Sequence, residues 1–203
     1  MVVETSSFVR YPHVDCFTFS AHKFYGPTGV GATIIRKDIK LLPFMKGGAQ
    51  EFGMRGGTSN TAGIVGLGAA IEQLHNNHYE ANFSLLFHYF FTNLEKRGKL
   101  NVIPDHLNII SANFAEYCHT NNLASVLATY GVAVSAGSAC DAEHDDVAGY
   151  NPSHVLSALN LPENEIRNTI RVSFTKYTTR QDIDCLFKAL DDIHKIEKEL
   201  KND

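Results

Sequence analysis

The chain has 203 residues, 44% hydrophobic and 20% charged, with a net charge of -4. That is the make-up of a globular protein long enough for one sizeable domain or two small ones. Its basic residues are scattered, which argues against direct nucleic-acid binding, and no apolar run is long enough to span a bilayer. Residues 1–10 lack a basic region followed by an apolar core, so the chain reads as cytosolic and Cys16, Cys118, Cys140 and Cys185 as free thiols. Cys16 and Cys185 fall in apolar patterns and are expected to pack.

A strand-like run over 14–19 leads into Ser20-Ala21-His22-Lys23-Phe24-Tyr25-Gly26-Pro27-Thr28-Gly29-Val30-Gly31, and a second over 32–35 leads out. A lysine after a strand is ordinarily a solvated surface charge. At the end of a buried strand it is partly desolvated, which lowers its pKa and frees the amine as a nucleophile. Ser20 and His22, two residues apart in extended chain, share a side, and both can donate to a phosphate. The glycines could form a plain hairpin turn. A nucleotide loop follows a strand and opens a helix, whereas these glycines open another strand.

The run 46–58 is rich in glycine and carries Lys46 and Arg55. It reads as an extended loop, either a surface connection or an anion-binding backbone with Thr58 as a side-chain donor. Thr58, Ser59 and Asn60 offer caps for an apolar helix over 64–74, whose Gly63, Gly66 and Gly68 permit close backbone packing. After polar residues 75–82, Phe83, Leu86, Phe87, Phe90, Phe91 and Leu94 resume a helical period, closed by Gly98. This aromatic stripe reads as core or subunit interface.

The remainder reads as a smaller α/β unit. Strands are expected at 107–114, 132–134 and 169–174, and a helix at 123–130 ending on Gly131. Asn151 and Pro152 are expected to open a short helix. Thr178-Thr179-Arg180-Gln181 fits a capping box, after which Ile183, Leu186, Phe187, Leu190, Ile193, Ile196 and Leu200 form one face of a terminal helix.

Cys140 follows Ser135-Ala136-Gly137-Ser138-Ala139 and precedes an acidic stretch, a pattern that predicts an exposed, reactive thiol or simply a surface loop. Metal binding by Cys140, His144 and the neighbouring aspartates lacks a convincing set of further ligands, so no metal site is assigned. Arg171 alternates with Ile170 and Val172, either on a solvated strand face or as a fork for a carboxylate. An amine, phosphate donors, a carboxylate-binding arginine and a thiol together suggest amino-acid chemistry on an aldehyde cofactor.

With these motifs in order, the chain resembles the NifS/IscS-like cysteine desulfurases of the class V aminotransferase group. The matching stretches are Phe19-Ser20-Ala21-His22-Lys23-Phe24-Tyr25-Gly26-Pro27, Gly53-Met54-Arg55-Gly56-Gly57-Thr58, Ser135-Ala136-Gly137-Ser138-Ala139-Cys140 and Ile170-Arg171-Val172-Ser173-Phe174. The resemblance implies an α/β fold: part of a pyridoxal-phosphate transferase of fold type I, with a remnant of the large-domain sheet and linking helix in 1–80 and a small α/β C-terminal domain in 81–203. It implies that Lys23 forms the Schiff base with pyridoxal 5'-phosphate, that Ser20 and His22 hold the phosphate, and that Thr58 reaches the phosphate of the neighbouring subunit of a homodimer. It implies Arg171 for the carboxylate of L-cysteine. Cys140 would take the sulfur as a persulfide, release alanine, and pass sulfur to an iron–sulfur scaffold or a tRNA-thiolation enzyme.

The resemblance covers only the second half of such enzymes. The family's first half supplies the histidine, aspartate and glutamine that contact the cofactor ring, and no residues here correspond to them. The large-domain strands are therefore expected to lack sheet neighbours, and the chain by itself to be a poor or incomplete catalyst. The stretch 141–150 is longer and more acidic than the usual loop. Two rival readings are a non-catalytic fragment that dimerises, docks a partner or carries sulfur, and a related class V aminotransferase or selenocysteine lyase.

Overall fold

The computed structural model describes residues 13–77, 79–136 and 153–201, and the chain divides into two compact units, Met1–His78 and Tyr79–Asp203. In the first, β1 (Cys16–Ser20) and β2 (Gly31–Ile35) pair antiparallel, from Cys16 opposite Ile35 to Ser20 opposite Gly31. No third strand joins this sheet among the described residues. With so little cover, neither strand contains a buried residue, and Cys16 is exposed rather than packed.

Helix α1 (Thr61–Asn76) closes this unit. The Asn60 side chain accepts the Gly63 N–H at 3.0 Å and so caps the first turn. The helix lies close against the turn between the strands, since a Cβ at Gly66 would stand 2.5 Å from Pro27 Cγ. Gly68, by contrast, faces open space and packs against nothing. Ala21, Phe24 and Ala70 are the buried centre of this small core, with Phe19, Val30, Leu67 and Leu74 against it.

The second unit starts with α2 (Tyr79–Leu94) and holds an antiparallel sheet in the order β3 (Lys99–Leu100), β4 (Ile109–Asn113), β5 (Thr169–Ser173). Between β4 and β5 lie α3 (Leu123–Thr129), α4 (His154–Ala158) and α5 (Glu163–Arg167), and α6 (Arg180–Leu200) follows. Strand alternation sends Ile110, Ala112, Ile170 and Val172 into the core and puts Ser111, Asn113, Thr169 and Arg171 on the opposite face. Phe90 is completely buried, its ring centroid 5.3 Å from Phe187 and 6.0 Å from Phe174.

Helix α6 buries Ile183, Leu186, Phe187, Leu190 and Ile193. Ile196 and Leu200 continue the stripe in sequence but are exposed, because the helix outruns the core. Its capping box sits one residue later than the sequence suggests. The Asp182 carboxylate accepts the Thr179 N–H at 2.8 Å, and the Thr179 hydroxyl accepts the Asp182 N–H. The strand expected at 132–134 does not form; this segment makes a single antiparallel bridge, Ser135 opposite Arg171. Asn151 and Pro152, expected to open a helix, lie outside the described residues; α4 has Ser153 at its cap position. No described helix is long and apolar enough to cross a membrane.

Two of the three described cysteines, Cys16 and Cys185, are exposed, and Cys118 is fully buried. Burial first, and then the Glu197 and Asp191 carboxylates, push the Cys118 thiol up to about 12. A thiol whose folded pKa lies above its unfolded value favours folding fully below the unfolded value of 9.0, and the contribution fades as pH rises from there toward 12. The expected outcome is that iodoacetamide at neutral pH alkylates Cys16 and Cys185 in the native protein and reaches Cys118 only after denaturation. Peptide mass mapping checks this, and native labelling of Cys118 contradicts it.

Candidate active site

Ser20 ends β1, and Ala21–Phe24 form one 3-10 turn. At three residues per turn, Ala21 and Phe24 eclipse each other, and both are buried in the small core. His22 and Lys23, between them, are exposed on the other side. The Ala21 N–H donates to the Val30 carbonyl at 3.0 Å, and the Ala21 carbonyl accepts the Gly26 N–H at 2.9 Å. Tyr25 ends the turn in the left-handed region, φ 71°, and a Cβ at Gly26 would lie 2.8 Å from that of Ala21. Buried residues on one side and backbone bonds at the ends thus fix a turn that presents an imidazole and an amine outward.

Two expectations change here. Lys23 is not at the end of a buried strand, since β1 is half-covered and Lys23 itself is exposed. Ser20 and His22 are neighbours, but His22 belongs to the 3-10 turn, so strand alternation does not place them on one side. Among the described residues Lys23 has no hydrogen bond or ion pair, which leaves its amine available.

Thr58 stands at the end of the glycine-rich loop. That loop is pinned by a parallel bridge between Met45 and Arg55 and by the Gly56 N–H, which donates to the Met45 carbonyl at 2.9 Å. A Cβ at Gly56 would stand 2.9 Å from the Gly47 backbone, so the two arms touch. The Arg55 guanidinium donates to the Thr58 carbonyl at 3.3 Å, and the Thr58 side chain is exposed. Among the described residues no hydrogen bond joins Thr58 to Ser20, His22 or Lys23.

In the second unit, half-buried Arg171 lies directly opposite Ser111 of β4. On its other side the Arg171 N–H donates to the Ser135 carbonyl at 2.6 Å, and the Ser135 N–H donates to the Arg171 carbonyl at 3.2 Å. The first residue of the run that ends in Cys140 is therefore held beside Arg171. Cys140 itself lies outside the described residues. Sequence reasoning missed the polar group around this arginine, Asn101, Ser111 and Asn113. The signal was present as polar residues alternating with apolar ones along 109–114.

Residues 4–186 match the class-V aminotransferase family. The chain belongs to this family. The chain is 40% identical over 190 residues to the cysteine desulfurase IscS of Dictyoglomus turgidum, a match covering 89% of this chain and 46% of that protein. It superimposes on a NifS-like protein with a TM-score of 0.76 and 30% identity, covering 93% of this chain and 48% of that one. It also superimposes on SspA in complex with cysteine, with a TM-score of 0.58 and 32% identity, covering 82% and 45%. The class-V chain thus spans about half the length of the relatives it matches. Membership implies use of pyridoxal phosphate. The outward-facing turn fits part of such a site, with an exposed amine free of any carboxylate among the described residues, an exposed imidazole next to it in sequence and Ser20 at the cap of the turn.

Proposed function

We propose that this chain is the C-terminal portion of a cysteine desulfurase, carrying its cofactor lysine and its sulfur-accepting cysteine; the full enzyme converts L-cysteine to L-alanine and passes the sulfur to an acceptor protein of iron–sulfur assembly or tRNA thiolation. Residues 1–80 belong to the large cofactor domain and 81–203 to the small domain. The working unit is a cytoplasmic homodimer that touches neither membrane nor nucleic acid directly. The observation that carries the reading is the turn at 21–24, which buries Ala21 and Phe24 and turns His22 and Lys23 outward in a class-V chain.

Lys23 would hold pyridoxal phosphate through its amine, Ser20 and His22 would donate to its phosphate, and Thr58 would donate to that of the neighbouring subunit. When bound, the cofactor supplies the electron sink for amino-acid chemistry. Arg171 grips the substrate carboxylate with two parallel hydrogen bonds. The Cys140 thiolate attacks the substrate sulfur: an S–S bond forms as the Cβ–S bond breaks, the electron pair stays with the carbon skeleton, and a proton completes alanine.

Incubation with pyridoxal phosphate, borohydride reduction and peptide mapping test this reading. The expected outcome is a label on Lys23 that is substoichiometric, because the ring contacts belong to the family's other half, and that Lys23→Ala abolishes. A label spread over other lysines and unchanged in Lys23→Ala counts against it.

A further inference from the structure

The polar face of the second unit's sheet is wired in one direction. The chain of hydrogen bonds starts at Glu165, whose carboxylate can only accept, and which lies 3.2 Å from the Lys99 ammonium. The Asn113 amide nitrogen donates to this carboxylate at 2.7 Å, and the Asn113 side-chain oxygen accepts the Ala115 N–H at 2.9 Å, so the orientation of that amide is fixed from both ends. The same amide nitrogen donates to the Asn101 side-chain oxygen at 3.4 Å, which fixes Asn101 in turn. The Asn101 amide nitrogen then donates to the Ser111 hydroxyl at 3.0 Å and to the Thr169 hydroxyl at 3.2 Å, using both of its hydrogens. A second bond, from the Asn101 N–H to the Ser111 carbonyl at 3.0 Å, clamps the pair. Thr169 spends its own proton on the Glu165 carbonyl at 2.8 Å.

Ser111 is where this chain ends. Its oxygen accepts from Asn101, so its proton is left to give away, and among the described residues no acceptor takes it. Directly across the strand pair stands Arg171, half-buried, its guanidinium without a partner among the described residues. Side chains at such facing positions have Cβ atoms about 4.5–5.5 Å apart. An oriented hydroxyl donor and an unpaired guanidinium on one sheet face form a site for one anion, and the planar fork selects a carboxylate.

We infer that Ser111 is a second carboxylate-binding residue beside Arg171, donating to the α-carboxylate of the amino-acid substrate, and that Asn101 is a positioning residue that holds the Ser111 oxygen and leaves its proton to donate. The inference rests on the desulfurase reading for the identity of the substrate. The carboxylate site itself stands on the geometry of the second unit alone.

The test is an NMR titration of the 203-residue chain, following the backbone amides of Ser111, Asn101 and Arg171. The probes are L-alanine and L-alaninamide, which keeps the amine and lacks the carboxylate. Saturable shifts are expected with L-alanine and not with L-alaninamide. Ser111→Ala should weaken L-alanine binding roughly 10- to 100-fold, the loss of one hydrogen bond to a charged group, while Ser111→Thr, which keeps the hydroxyl, stays within about twofold. Asn101→Ala should weaken L-alanine binding on its own and add nothing in the Ser111→Ala background, a non-additivity that general loosening of the sheet does not produce.

Unchanged binding in a folded Ser111→Ala chain overturns the inference. So does equal binding of L-alaninamide, or the absence of any saturable shift. Because alanine binding needs no sulfur chemistry, failure of the desulfurase reading shows separately, as sulfide release that does not depend on Cys140.

Discussion

Replacing Phe90 by alanine should destabilise the second unit by about 3–5 kcal/mol, the range for truncating a fully buried aromatic. Phe90 has no exposed surface and lies within ring contact of Phe187 on α6 and of Phe174 just after β5. Truncation removes the apolar transfer energy and leaves a cavity among residues held by two helices and a strand, which cannot all collapse to fill it. Against a typical domain stability of about 5–15 kcal/mol, this loss brings the unit close to unfolding at ambient temperature. Urea denaturation followed by far-ultraviolet circular dichroism measures it. Phe52 is the control: it is as large, but fully exposed, so Phe52→Ala should shift stability by less than about 0.5 kcal/mol. A loss below about 1 kcal/mol for Phe90→Ala means that the aromatic stripe of α2 is not the centre of the core.

That stripe was legible in the sequence because a helix writes its buried face as a period. Leu86, Phe90 and Leu94 on α2, and Ile183 to Ile193 on α6, recur at helical spacing and are buried. The fold class and the strand that carries Arg171 were legible too. What the sequence hid depends on cover rather than period. The run into Lys23 looks like a buried strand by composition, but β1 has one strand neighbour and stays half-exposed. Residues 132–134 have strand-forming side chains, yet backbone pairing stops at one bridge, to Arg171. Cys16 and Cys185 sit among apolar neighbours and are still exposed.

The outward turn of Lys23 was equally invisible as a motif of strand, lysine and glycines. It follows from a 3-10 turn in which residues three apart share the core. The network ending at Ser111 joins positions up to 68 residues apart, and no local pattern announces that.

Cys140→Ser should reduce sulfide release from L-cysteine, in the presence of pyridoxal phosphate and a thiol reductant, by at least about a hundredfold, while leaving the reductive label on Lys23 unchanged. A serine hydroxyl is a far weaker nucleophile than a thiolate and forms no persulfide, so the S–S bond-forming step has no substitute. Lys23→Ala should lose both sulfide release and label, which separates attachment of the cofactor from transfer of sulfur. Cys16→Ser and Cys185→Ser remove the exposed thiols among the described residues and should change neither readout.

Chain geometry favours Cys140 over these. Cys140 lies five positions beyond Ser135 in the sequence, and Ser135 is bonded to the backbone of Arg171. Sulfide release that persists in Cys140→Ser excludes this role and favours a lyase that breaks the Cβ–S bond without a protein thiol, such as a selenocysteine lyase. Loss of release with the Lys23 label intact assigns the sulfur-accepting step to Cys140, because the cofactor lysine, the fold and the other accessible thiols are then held constant.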